Sequence, residues 1–157
     1  MVRILFVCLG NICRSPAAEA VFKHKLELAG LSNRVVCDSA GTSGYHSGNK
    51  ADERMISHAK KRGIEVTSRS RKVDLSDFDK FDLVIAMDQS NESDLVSICN
   101  DANLEKIQLM LSFGTTEYLD VPDPYYGGAE GFELVLNLLD ESCEGLLNFV
   151  KVKYLGE

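Results

Sequence analysis

The chain is short of the features that define several large functional classes. Its three histidines, His24, His46 and His58, lie far from one another and from any cysteine at ligand spacing, so a metal site is not expected. No apolar run is long enough to cross a membrane. The opening stretch MVRILFVCLG is too short for a span or a secretory leader and reads as a strand. Positive charge is in deficit, with 17 Lys and Arg against 24 Asp and Glu for a net −7. Such a field repels polyanions, which argues against nucleic acid or an anionic membrane as partner. The small basic clusters, Lys60-Lys61-Arg62 and Arg69 to Lys72, read as solvated faces, the first at a helix C-terminus where cations suit the dipole. The five cysteines include no CxxC pair and are odd in number. Free thiols in a reducing cytoplasm are the expectation. The G-x-x-x-x-G-K pattern of a nucleotide-binding loop is missing, as are linkers, repeats and low-complexity segments.

What is present fits one domain over residues 1–157, with 45% apolar and 26% charged residues, long enough to bury its own core. Short apolar runs alternate with amphipathic stretches. Strands are predicted at Arg3 to Cys8, Val35 to Ser39, Asp82 to Met87 and Lys106 to Met110. Helices are predicted at Pro16 to Ala29, Ala51 to Arg62, Gln89 to Cys99 and Ala129 to Val150. The first would bury Ala18, Val21, Phe22, Leu26 and Ala29 and stop at Gly30. This alternation implies an α/β fold, a parallel sheet with helices on both faces. Such sheets bind ligands beyond the carboxyl ends of their strands. The irregular stretch from Ser112 to Gly128 is longer than usual and invites a functional reading.

The segment VCLGNICRSP, Val7 to Pro16, carries the chemistry. A cysteine at a strand end is followed by Gly10 and Asn11, both tolerant of positive φ. The loop closes on Ser15 as expected N-cap and Pro16 at the first helical position. The backbone N–H groups of Leu9, Gly10, Asn11, Ile12, Cys13 and Arg14 could wrap a tetrahedral anion above the Cys8 sulfur. Arg14 could add two parallel hydrogen bonds to phosphate oxygens. The same positive field would favour the Cys8 thiolate, the attacking form. Farther on, Asp123 stands between Pro122 and Pro124, which would stiffen its loop, although Asp-Pro alone also reads as a plain turn. Tyr125 and Tyr126 would line a slot suited to a flat ring.

The C-x5-R-S run from Cys8 to Ser15 and the distant Asp123-Pro124-Tyr125-Tyr126 together resemble the low-molecular-weight protein-tyrosine phosphatases over essentially the whole chain. That resemblance implies a phosphotyrosine protein phosphatase I-like fold, a four-stranded parallel sheet of order 2-1-3-4 with no metal or organic cofactor. It implies hydrolysis of phosphotyrosine proteins and small aryl phosphates through a phosphocysteine on Cys8, with phosphate or vanadate as product or inhibitor. Asp123 would act as general acid and then base. By position, Ser15 would donate to the thiolate, and Asn11 and Ser39 would hold the phosphate loop in shape. Ser68 would stand where a histidine often joins that network, and Cys13 could trap Cys8 as a disulfide. Tyr45 would form the wall opposite Tyr125 and Tyr126. Asp88, ending the third strand, reads as structural. A monomer is expected.

Three other readings stay open. An arsenate reductase on this scaffold needs a relay of thiols after the third strand, where DLVIAMDQSNESDL has none before Cys99. A protein-arginine phosphatase resembles C-T-G-N-T-C-R-S in its loop, and here Ile12 replaces the second threonine with an apolar branch better suited to a phenyl ring. A phosphocysteine carrier would need its phosphate to persist, against which Arg14 and Asp123 both argue.

Overall fold

Val2–Cys8 (β1) is apolar at nearly every position because both of its faces are covered. In the computed structural model, which describes residues 1–157, β1 is an inner strand of a four-stranded parallel sheet of order β2-β1-β3-β4. The partners are β2 (Val35–Gly41), β3 (Leu83–Ala86) and β4 (Ile107–Leu109). Register sets Val2 opposite Val35, Cys8 opposite Gly41, and Ile4 opposite Leu83.

Side chains alternate across a strand, so β1 feeds two cores. Ile4 and Phe6 join the larger one, with α1 (Arg14–Leu28), α2 (Glu53–Lys60) and α5 (Ala129–Tyr154). Leu5 and Val7 join the smaller one, with Phe78 of α3 (Asp77–Lys80) and Leu95 of α4 (Gln89–Ile98). Each fully buried Leu or Phe contributes about 1.5–3 kcal/mol, and Phe6 adds an edge-on contact with Phe22 at 5.8 Å. The expected sheet order and the helices on both faces are borne out.

Several boundaries differ from the sequence reading, each for a local reason. α1 begins at Arg14 with Cys13 at its N-cap and no side-chain cap. Ser15 does not cap it, because its hydroxyl is engaged by Cys8 and Asn11. Pro16 is then the third helical residue, still within the turn that needs no amide donor. Ala29 is exposed rather than core, since α1 has ended before it. α2 starts two residues later than expected because Asp52 caps it by accepting from the Arg54 amide. α5 runs one turn past Val150. The short α3 and the 3-10 turns at Asp101–Lys106 and Met110–Phe113 are too brief to leave a periodic signal. Beyond them the 114–128 segment folds back over the sheet. Val121, fully buried, donates its N–H to the Met87 carbonyl at 2.8 Å.

One close approach fixes this return. A Cβ on Gly145, in the interior of α5, would lie 1.8 Å from the Phe113 carbonyl oxygen. Glycine in an exposed helix interior is about 1 kcal/mol worse than alanine, so propensity alone favours Gly145→Ala. Overlap with backbone cannot be relieved by a rotamer, and overpacking of this kind costs ~1–3 kcal/mol or more. Gly145→Ala should therefore lower the urea midpoint at unchanged m-value. A midpoint equal to or above wild type would show that α5 and the 110–113 turn separate freely.

Candidate active site

The loop after β1 is folded around the Cys8 sulfur. Asn11 is the one non-glycine residue with positive φ, at 56°. Its amide donates to Cys8 Sγ at 3.3 Å. Its side chain spans the loop, with Nδ2 donating to Ser15 Oγ at 2.8 Å and Oδ1 accepting from the Arg71 amide at 3.0 Å. With Asn11 donating to Ser15, the hydroxyl proton is free to point elsewhere. Cys8 Sγ at 3.0 Å is a nearer acceptor than the Ala40 carbonyl at 3.4 Å. Two donors thus converge on the sulfur, an arrangement that suits a thiolate. The amides of Leu9, Gly10, Ile12, Cys13, Arg14 and Ser15 donate to no acceptor in the chain. Together with the first turn of α1 they form an anion nest.

Arg14 is buried with its side chain only 4% exposed. Nη1 donates to Asp88 Oδ2 at 2.6 Å and to the Val121 carbonyl at 3.0 Å. Nη2 lies 3.6 Å from Asp123 Oδ2. Burial works against the charge, but Cys8, Asp88 and Asp123 outweigh it and hold the guanidinium above the ordinary arginine range. Asp88 also accepts from the Asn91 amide as N-cap of α4. It therefore orients Arg14 from behind, in keeping with a structural role. Asp123 accepts from the Tyr125 amide at 3.0 Å and is 44% exposed.

Cys8, Leu9, Gly10, Ile12, Cys13, Arg14 and Asp123 line one pocket with His46, Tyr125 and Tyr126, about 120 Å³ in volume. Sites for whole drug-sized ligands run to about 300–1,000 Å³, so this one takes a headgroup. Tyr45, expected as a wall, is 86% exposed and stands outside that lining. Its ring packs edge-on against His46 at 4.9 Å, and His46 forms the wall instead. In an irregular loop no periodicity tells which of two adjacent aromatics faces inward, so the sequence could not separate them.

The supporting network also differs. Ser39 is buried, but its hydroxyl donates to Glu19 at 2.6 Å and not to Asn11. Ser68 makes no side-chain hydrogen bond. Two residues on, Ser70 donates to the Gly10 carbonyl at 3.0 Å, and the neighbouring Arg71 amide holds Asn11. Arg71 is itself clamped between Asp38 and Asp77. Burial opposes its charge, and the two carboxylates hold its guanidinium above the usual range. A backbone donor leaves no sequence signature, which is why this anchor was not legible.

Of the five cysteines, only Cys8 and Cys13 line the pocket. Burial, with Asp52 and Cys8 nearby, pushes the Cys13 thiol up to about 12. Burial does the same to Cys37, also to about 12, and raises Cys143 in the core. Cys99 ends α4, away from the site.

Comparison with known proteins agrees with this geometry. Residues 3–155 match the family model for low molecular weight phosphotyrosine protein phosphatase. The Schizosaccharomyces pombe protein of that name is 42% identical over 155 residues, 96% of each chain. The human protein of that name is 41% identical over 146 residues, 92% of each chain. A crystal structure of the Entamoeba histolytica protein tyrosine phosphatase, with Hepes in its active site, is 46% identical and superposes with a TM-score of 0.94 over 100% of both chains. Over that length the chain belongs to the low molecular weight phosphotyrosine protein phosphatase family.

Proposed function

We propose that the protein hydrolyses phosphotyrosine in proteins and peptides, and small aryl phosphates, through a phosphocysteine on Cys8. The observation that carries this reading is the convergence on one pocket of Cys8 Sγ, a ring of unpaired amides, and Arg14 lying 3.6 Å from Asp123. The amides and Arg14 bind the phosphoryl oxygens and stabilise the charge spread over them in the transition state. The thiolate attacks phosphorus, the S–P bond forms, and the P–O bond to the aryl group breaks as Asp123 gives its proton to the leaving oxygen. Water then attacks the phosphocysteine, Asp123 takes its proton, and inorganic phosphate leaves as Cys8 returns to thiolate.

The aromatic lining supports an aryl ester. Cys8, 3% exposed, shares its pocket with His46, Tyr125 and Tyr126. A phosphorylated phenol offers those rings a flat apolar face, which the short stem of phosphoserine lacks. Ile12, half-buried against the core, offers the ring an apolar contact. The free thiols of all five cysteines suit a reducing compartment.

Cys8→Ser should lose turnover by orders of magnitude while still binding phosphate or vanadate, because the amides and Arg14 do not depend on sulfur. Single-turnover kinetics and equilibrium titration of vanadate check this; residual activity above about 1% would exclude Cys8 as nucleophile.

Asp123→Asn should slow phenyl phosphate, whose leaving group has a pKa near ~10, by roughly 10²–10⁴-fold. The loss on p-nitrophenyl phosphate should be smaller, since that phenolate leaves with less help. Across substituted aryl phosphates the leaving-group dependence of the phosphorylation step should steepen. Equal slopes in both enzymes would reduce Asp123 to a turn residue.

Mild hydrogen peroxide should inactivate the enzyme reversibly. Peroxide converts the Cys8 thiolate to a sulfenic acid, and the Cys13 thiol then condenses with it, expelling water to form a disulfide. Peptide mapping should find that pair linked and activity restored by dithiothreitol. Accumulation of Cys8 sulfonic acid without the crosslink would refute a protective role for Cys13.

A further inference from the structure

The half-exposed arginine beside the N-cap of α2 touches the acid loop at several points, and nothing in the reaction so far uses it. Arg54 is held on Asp52 by three hydrogen bonds, from its amide at 2.9 Å, Nε at 3.1 Å and Nη2 at 2.9 Å. The same Nη2 donates to the Tyr125 carbonyl at 2.9 Å. Its guanidinium faces the Tyr125 ring at 5.5 Å and the Phe132 ring at 4.8 Å. Phe132, in the first turn of α5, is 1% exposed and makes a fixed platform. The clamp is tied to the other half of the site as well, because the Asp52 amide donates to the Ile12 carbonyl of the phosphate loop at 2.7 Å.

We propose that Arg54 is the positioning residue of the general-acid loop, holding Tyr125 so that its amide aims the Asp123 carboxylate toward Arg14 and the leaving oxygen. The inference rests on the reading of Asp123 as acid given above. One residue, Tyr125, carries both ends of the linkage: its carbonyl is held by Arg54 and its amide holds Asp123 Oδ1 at 3.0 Å. Rotation of that backbone segment would swing the acid, while the fixed distance from Asp52 to Ile12 relates the acid loop to the bound phosphoryl group. The hydrogen bonds from Arg54 lower the Asp52 carboxyl below its usual range, and those to Asp52 raise Arg54. Both shifts favour the charged forms of the pair.

Exposed ion pairs add little to stability, so removing the guanidinium should leave the fold intact. Catalysis is more sensitive, since a misplacement of about 1 Å can cost about 10²-fold. Arg54→Gln should lower the phosphorylation rate with phenyl phosphate by about 10- to 100-fold. Loss on 2,4-dinitrophenyl phosphate should be small, and inhibition by inorganic phosphate unchanged, because neither needs the acid. In the Asp123→Asn background the same substitution should cost nothing further, since residues acting as a unit are not additive. Arg54→Lys keeps the charge but lacks the planar fork, so it should show the same steepened leaving-group slope; it supplies that readout even if the Gln variant loses its fold.

A wild-type slope in either folded Arg54 variant, with Asp123→Asn impaired, would overturn the clamp and leave the acid standing. So would an additive loss in the double variant. An Asp123→Asn enzyme with normal slope would instead remove the acid assignment itself, and this inference with it.

Discussion

Arg14 carries a permanent charge at 4% side-chain exposure, where an unpaired cation would cost several kcal/mol. The surrounding fold answers that requirement from separate places in the chain. Asp88 comes from the end of β3, the Val121 carbonyl from the segment that folds back after β4, and Asp123 from the stretch beyond it. Each partner is brought to the guanidinium by an element that has its own reason to be there. Asp88 caps α4, and Val121 is buried with its amide on the Met87 carbonyl. The Asp123 loop is therefore held over the loop after β1 partly because a buried guanidinium needs it there. Position of Asp123 and solvation of Arg14 are one constraint.

The phosphate loop meets a second demand, that a run of backbone donors be left free while the loop keeps its shape. Side chains take over the work that secondary structure would do. Asn11 accepts a left-handed backbone, a conformation open to few residues besides glycine, and ties together Ser15 and the Arg71 amide. Ser70 holds the Gly10 carbonyl from outside. Gly41 lets β2 pass close beneath, since a Cβ there would come within 2.7 Å of the Leu9 carbonyl oxygen. Arg71 is fixed in turn by Asp38 and Asp77, so both neighbouring elements brace the loop without spending any of its anion-binding amides.

What could be read from the sequence follows from this division. The strands and the loop after β1 are written in local patterns: an apolar run ending in cysteine, then residues fit for a turn, then a helix. The sheet order followed only from the family resemblance. Cys8, Arg14 and Asp123 could be singled out because their motifs are local, and the structure brings all three to one pocket. The bracing was not legible. Ser15 has the sequence of an N-cap, yet its hydroxyl goes to sulfur; Ser39 reads as a loop support, yet it bonds Glu19. Ser70 and the Arg71 amide do the holding across a sequence separation of 60 residues. A long-range bond made by a peptide N–H is independent of side-chain identity, so no single sequence can announce it. The exchange of Tyr45 for His46 has the same origin, an irregular loop without a period.

Cys8 and Asp123 also sit in opposite environments, as the two-step reaction proposed for them requires. Cys8 is 3% exposed at the end of an inner strand, where its position is set by the sheet. Asp123 is 44% exposed on a loop without regular secondary structure. In the proposed reaction it meets a departing phenolate in one step and an entering water in the next, and a carboxylate sealed from solvent could not serve both. Exposure alone would leave it poorly aimed, since a solvated loop is free to wander. The structure reconciles the two by holding the loop through its backbone, at the Val121 and Tyr125 carbonyls. The carboxylate itself accepts one amide and keeps its second oxygen toward Arg14. Rigidity is placed in the peptide groups and access is left to the side chain.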